Sequence, residues 1–357
     1  MRYAVGLGVP AAVRGTVRRS RVFPACGTGF LGEQVGAPSR LMNHGGPGPG
    51  QGCVGHVIPI GPLYNTRADA TLPRQDMTTV AIVGAGDIGG ATAQALAARD
   101  QVRRVLLVDA AGDAATGKAL DIQQSGAVDG FHTRLQGTAD EAGVTGCHVC
   151  VIADRMGPGL GEWRDDDGLA MLGRIARYLG DTPLVFAGVA QMDLLAKAAR
   201  EMSLRRGRLV GSSPEALASA IKAIVALEAR CSPGEVMLTV LGRPTGFVIP
   251  WSEASIAGYA LQRVLSQAQL ARIEARSTHL WPPGPNALGA AAASIAEAML
   301  SASRRSFSVL TWLNGEFGVR RVVGALPARL SARGIEHTHV PTLGSREQVL
   351  LQTVLEV

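Results

Sequence analysis

The chain has 357 residues, enough for more than one packed lobe, since single hydrophobic cores stop growing at roughly 250–300 residues. Apolar residues make up 46% and aromatic residues only 4%, which suits an Ala/Val/Leu-packed α/β protein, and no window approaches the ~18 uninterrupted apolar residues of a membrane span. The formal charge is +6, but residues 1–76 hold eight arginines against three acids; the remainder is near +1, which argues against a nucleic-acid-binding stripe.

Residues 1–76 ("NHGGPGPGQGCVGH" is typical) are rich in Gly, Pro and Arg and lack apolar periodicity. Such a segment buries too little apolar surface to offset its ordering entropy. It reads as a disordered extension, or as sequence upstream of a true start at Met77. The acid-poor, Arg-rich opening "AAVRGTVRRSRVF" also fits an organelle transit peptide. A cytoplasmic location is otherwise expected.

The pattern changes at Met77. Strands are predicted at 79–84, 103–109, 147–153, 183–189 and 207–213, separated by helices at 88–99, 113–125, 166–179 and 191–202. Alternating β and α with apolar strands predicts an α/β fold, with a parallel sheet covered on both faces. Beyond residue 213 come a helix ("PEALASAIKAIVALEAR"), strands "EVMLTVLG" and "FVIP", a helical run at 253–277 and an Ala-rich helix at 286–303. A β-rich stretch and a C-terminal helix from Ser345 follow. The order implies a Rossmann-type lobe at 77–213 and an α+β substrate lobe at 214–357. Cys147 and Cys150 form a CxxC inside the third strand, where alternate side chains face opposite sides; with no second pair nearby, core packing is the expectation.

Gly84, Gly86 and Gly89 spell GxGxxG between a strand and a helix, with Asp87 and Ile88 completing the turn. The first glycine permits the tight turn, the second lets backbone approach a pyrophosphate, and the third lets helix and strand pack closely. The helix N-terminus then faces the phosphates. Asp109 ends the second strand, where a carboxylate accepts hydrogen bonds from ribose hydroxyls and repels a 2′-phosphate. NAD is therefore expected over NADP.

"VAIVGAGDIGG", "VLLVD", "GKALDIQQSGA" and "TWLNGEFGVRRVVGALPARLSARGIE" resemble the lactate/malate dehydrogenase superfamily, nearest to its lactate-dehydrogenase-like malate dehydrogenases, across residues 77–357. The resemblance implies NAD, a small 2-hydroxy or 2-oxo acid and a homo- or hetero-oligomer, with neither nucleic acid nor membrane as partner. It also implies hydride transfer assisted by a histidine that moves the hydroxyl proton, an aspartate that orients it, an arginine that clamps the carboxylate and a second arginine that polarises the carbonyl.

Several of those groups are replaced. "RDDD" matches the family's "RDDL" and places the polarising arginine at Arg164. The arginine that selects a second carboxylate in malate dehydrogenases falls at Pro158, with Arg155 nearby one gap out of register. "AQMD" stands for "NPVD", keeping Asp193 but putting Ala190 where the asparagine contacts substrate and nicotinamide. "LASAI" stands for "LDSAR", so Ala218 replaces the aspartate and Ile221 the clamp, while Lys222 is turned about 100° away on the helix. "GRPTGFVIP" stands for "GEHGDSMVP" and puts Pro244 at the histidine position. Asp154 replaces a glycine that in the family adjoins the cofactor, an unfavourable place for a further negative charge. His279, before the Ala-rich helix, is the nearest alternative acid. Two functions follow: a dehydrogenase by descent with altered chemistry, or a non-catalytic NAD-binding relative serving as sensor or oligomer subunit.

Overall fold

The first strand, β1 (Thr79–Val83), is apolar on both sides because both sides are covered. Val80 and Ile82 enter one core cluster and Ala81 and Val83 the other, the period-two alternation of a buried parallel strand. The structure, a computed structural model, describes residues 78–356 apart from 203 and 245; the reading of residues 1–76 lies outside the described residues.

After β1 the chain runs through α1 (Asp87–Arg99), β2 (Arg104–Val108), α2 (Gly112–Asp129), β3 (Arg134–Thr138) and β4 (Val149–Ile152). A small hairpin follows, β5 (Asp154–Arg155) and β6 (Gly161–Glu162), then α3 (Asp165–Leu179), β7 (Leu184–Phe186), α4 (Met192–Glu201), β8 (Leu209–Gly211) and α5 (Ser213–Ala229). The remainder comprises β9 (Val236–Met237), β10 (Ser255–Ile256), β11 (Tyr259–Ala260), α6 (Leu261–Val264), α7 (Gln267–Ser277), α8 (Pro285–Leu300), β12 (Ser306–Asn314), β13 (Arg320–Ser331), β14 (Gly334–Thr338) and α9 (Ser345–Glu356).

Nine strands form one sheet in the order β14-β13-β12-β8-β7-β4-β1-β2-β3. The six from β8 to β3 pair in parallel, and β12, β13 and β14 each run antiparallel to the preceding neighbour. The chain leaves β1 toward β2 and β3, then returns to the other side of β1 as β4. That reversal opens a crevice above the carboxyl ends of β1 and β4, the place where ligands bind in open α/β sheets.

The α/β, Rossmann-type expectation holds, with four local differences. β3 ("RLQGT") lacks the apolar run that marks a buried strand, because it is a sheet edge. "EVMLTVLG" yields only two strand residues, and the expected helical run from 253 begins instead as the short β10–β11 ribbon, with the long helix starting at Gln267. β12 to β14 extend the main sheet across the expected lobe boundary. Cys147 precedes β4 by two residues, so strand alternation does not apply to it, and both cysteines enter the same apolar cluster. The Cys147 thiol, hydrogen-bonded by Cys150, is pulled below its usual range; that same contact, with burial, pushes Cys150 well above it.

Candidate functional site

The glycine turn is built as its sequence predicts. Gly84 sits at φ +109, a conformation L side chains rarely adopt, and a Cβ there would run into the Asp154 backbone. A Cβ at Gly89 would strike the Gly84 carbonyl, so α1 packs directly on the turn. Ile88 is buried beneath it. Asp87 opens α1, its side chain exposed and its backbone amide aimed into the crevice.

That amide is engaged. The Asp154 carboxylate accepts from the Asp87 amide at 2.8 Å through Oδ2 and from the Gly89 amide at 2.9 Å through Oδ1. It lies where a Cβ on Gly86 would be, so the backbone opening that lets a pyrophosphate approach is filled by an anion of the chain itself. The Gly86 amide in turn donates to the Asp154 carbonyl at 2.9 Å.

Asp109 reaches the same place but is also engaged. Its Oδ2 accepts from the Ala85 amide at 2.9 Å and from the Met156 amide at 2.9 Å, and Oδ1 accepts from the Ala111 amide at 3.0 Å. Only 5% of Asp109 is exposed.

At the far end of the crevice, beyond β7, the Glu162 carboxylate accepts from the Val189 amide at 3.1 Å and the Ala190 amide at 2.7 Å. Burial pushes Glu162 above the usual carboxylate range, and the charge of Asp154 adds to this; the two amides and Arg164 pull the other way. Gln191 locks the same turn, accepting from the Gly188 amide and donating to the Ala153 carbonyl, both at 2.9 Å. Asp154 and Glu162 face each other in the β5–β6 ladder. One hairpin thus spans the crevice from the glycine turn to the β7 turn. Its tip reverses at Gly157 and Gly159, both at positive φ, and Arg155 stacks on Trp163 at 4.8 Å. Reading motifs one at a time did not single out Glu162 or Gln191; both lie beside matched motifs, and their role depends on a hairpin that two-residue strands do not announce.

The sequence model of the lactate/malate dehydrogenase NAD-binding domain matches residues 78–176. A malate dehydrogenase of Thioalkalivibrio sulfidiphilus is 30% identical over 277 residues, covering 73% of this chain and 90% of that protein. One from Methanosarcina acetivorans is 25% identical with the same coverages. Among solved structures, malate dehydrogenase from Salinibacter ruber superposes with a TM-score of 0.68 at 23% identity, covering 78% of this chain and 94% of that one. A lactate dehydrogenase from Cryptosporidium parvum, complexed with lactic acid and nicotinamide adenine dinucleotide, gives 0.68 at 22% identity, covering 78% and 94%. The chain belongs to the lactate/malate dehydrogenase family.

Its first domain is accordingly an NAD-binding domain, and NAD is the cofactor of that fold. In that domain the Asp87 and Gly89 amides of the glycine turn hold the Asp154 carboxylate.

The positions that the motif match expects to carry the aspartate, the clamping arginine and the histidine hold Ala218, Ile221 and Pro244. Ala218 and Ile221, on α5, are both fully buried in a cluster with Leu217, Leu238 and Val240, against which Phe247 packs. Pro244 lies in the turn between Leu241 and Val248, whose backbones pair in both directions at 2.9 Å. Positions 218 and 221 therefore share one apolar cluster, while the turn bearing Pro244 has Gly242 and Gly246 against Leu351 and Val354 of α9. Lys222 points back along α5 to Glu215 at 3.7 Å. Arg164 is the N-cap residue of α3, 65% exposed, with its Nε 4.0 Å from the Asp165 carboxylate. Arg155 donates to the Leu160 carbonyl at 3.0 Å and lies 3.6 Å from Asp167 in the first turn of α3, while its buried Nε has no hydrogen-bond partner. Pro158 occupies the hairpin tip, and Asp193 and His279 are exposed. No helix among the described residues is long and apolar enough to cross a membrane.

Proposed function

We propose that this chain is a dinucleotide-binding relative of the malate dehydrogenases that does not carry out ordinary 2-hydroxy acid oxidation, and that it acts as a sensor or as a subunit of a homo- or hetero-oligomer. The observation carrying this reading is the full burial of Ala218 and Ile221 in one apolar cluster, together with proline at position 244. In the family, NAD accepts the hydride, but removal of the hydroxyl proton falls to protein side chains. Proline has no proton to exchange, and alanine cannot orient an imidazole. Isoleucine gives a carboxylate no charged donor, a loss of roughly 1.5–3 kcal/mol per hydrogen bond. A missing general acid/base alone costs about 10²–10⁴ in rate.

The competing reading, a dehydrogenase acting on an altered 2-hydroxy or 2-oxo acid, draws on Arg164, which matches the family's polarising arginine in the motif and caps α3. An oxidation assay of the full chain with NAD across malate, lactate and larger 2-hydroxy acids separates the two. Turnover above roughly 1 s⁻¹, the low end for typical enzymes, overturns the non-catalytic reading.

A further inference from the structure

Two cavities, of about 520 and 510 Å³, lie around Asp100 and His132 and beside the edge strand β3, away from the glycine turn. The crevice where a dinucleotide belongs is instead bridged by the chain. We infer that the β5–β6 hairpin is an internal mimic of the dinucleotide, so that hairpin closure and cofactor binding exclude each other. The inference rests on the reading above that the chain retains a dinucleotide cradle.

Three contacts reproduce the polarity of a bound dinucleotide, in order along the crevice. The Met156 amide donates to Asp109, as a ribose hydroxyl would. The Asp154 carboxylate accepts from the Asp87 and Gly89 amides, as pyrophosphate oxygens would, at the positive end of a 13-residue helix. The Glu162 carboxylate accepts from the amides of Val189 and Ala190, the latter at the family's nicotinamide-contacting position. All three come from one stretch of nine residues, 154–162. Lys118 donates to the Gly86 carbonyl at 2.9 Å and fixes the turn in the shape these contacts need.

Coexistence is ruled out by charge and by space. A pyrophosphate at the turn would share two amides with a buried carboxylate, and Asp154 is only 9% exposed. Two anions in that position repel, and neither could be fully hydrogen-bonded. Binding therefore requires Asp154 to withdraw, and with it the hairpin to which it is paired. In an enzyme whose loop closes over bound cofactor the two events reinforce each other; here they compete. Affinity is then reduced by the fraction of molecules that are open, about tenfold for a hairpin shut nine-tenths of the time.

The test measures binding of NADH by fluorescence and of ADP-ribose by calorimetry to the full chain, at one pH, for the unaltered protein, Asp154→Ala, Asp154→Asn and Glu162→Ala. ADP-ribose carries the pyrophosphate without the nicotinamide, so a gain shared by both ligands reports opening of the hairpin and not a new contact to the nicotinamide. Asp154→Ala is expected to bind both ligands at least about tenfold more tightly than the unaltered chain. Asp154→Asn, which keeps an acceptor but not the charge, is expected between them, and it carries the comparison if the alanine variant does not fold. Glu162→Ala, which loosens the hairpin paired to Asp154, is expected to strengthen both ligands by a similar factor. Equal or weaker binding by both Asp154 variants overturns the mimic and leaves the dinucleotide reading standing. Absence of binding by every form up to millimolar ligand overturns both.

Discussion

Glu215 and Ser308, 93 positions apart, are joined by a buried hydrogen bond in which the Ser308 amide donates to the Glu215 carboxylate at 2.8 Å. Ser308 Oγ accepts from the Val240 amide at 3.0 Å, so this carboxylate ties α5, β12 and the segment leading to Pro244 into one unit. Burial raises Glu215 above the usual carboxylate range, and Lys222 and Arg305 offset only part of that. The folded state thus binds more protons than the unfolded state just above the ordinary carboxylate pKa, and stability falls as pH rises through that window. Glu215→Gln keeps an acceptor and removes the charge; chemical denaturation should show it within about 1 kcal/mol of the parent with a flatter pH profile. Glu215→Ala, which strands the Ser308 amide and Lys222, should cost about 3 kcal/mol or more. A Gln variant as unstable as the Ala variant would show that the charge, not the hydrogen bond, holds these elements together.

Helix α8 crosses α1 at Gly289, where an added Cβ would stand 2.6 Å from the Ala91 side chain and 2.7 Å from the Thr92 amide nitrogen. Those neighbours cannot swing aside, because two of the three nearest atoms are backbone. Gly289→Ala gains up to ~1 kcal/mol of helix propensity. The overpacking cost should win, leaving a net loss of about 1–2 kcal/mol. The urea midpoint reads this directly; an unchanged or higher midpoint would mean the helices separate freely at this crossing, despite the Arg99–Glu297 ion pair at 2.9 Å that spans it.

Much of this was legible in the sequence because it depends on neighbours in the chain. The glycine turn, Asp109 at the end of β2 and the apolar strands follow from local spacing. What stayed hidden depends on residues far apart. Asp154 could be read as a charge near a cofactor, but not as a carboxylate seated on the amides of residues 87 and 89, 67 and 65 positions away. Asp109 reads as a ribose ligand until the Met156 amide, 47 positions on, is found on its Oδ2. The polar edge strand β3 was missed because an edge needs no apolar run.

On the proposed non-catalytic reading, restoring the family's chemistry demands several changes at once. Ala218→Asp alone places a carboxylate in a fully buried apolar cluster and should cost about 3 kcal/mol or more of stability without producing malate oxidation. Ala218→Asp, Ile221→Arg and Pro244→His together supply partners for one another, so the triple variant should lose less stability than the three single changes summed. Any recovered turnover should appear only in the triple, because such groups act as a unit. Activity in a single variant would mean that another side chain already moves the proton.

Glu162 sets the pH dependence of the hairpin. Its carboxyl, raised by burial and by facing Asp154 across the ladder, with the Val189 and Ala190 amides and Arg164 pulling down, takes up a proton more readily when the hairpin is closed than when it is open. Closure therefore binds protons; it is favoured below the raised pKa and weakens as pH rises from the ordinary carboxylate range through that value. Hydrogen exchange at the Val189 and Ala190 amides, corrected for the intrinsic pH dependence of exchange, should show protection falling as pH rises across this window. Glu162→Gln should flatten that profile while keeping an acceptor for the Ala190 amide. Protection that grows with pH would mean that the ionised carboxylate gains more from the two amides than it loses by burial, and that acid opens the hairpin.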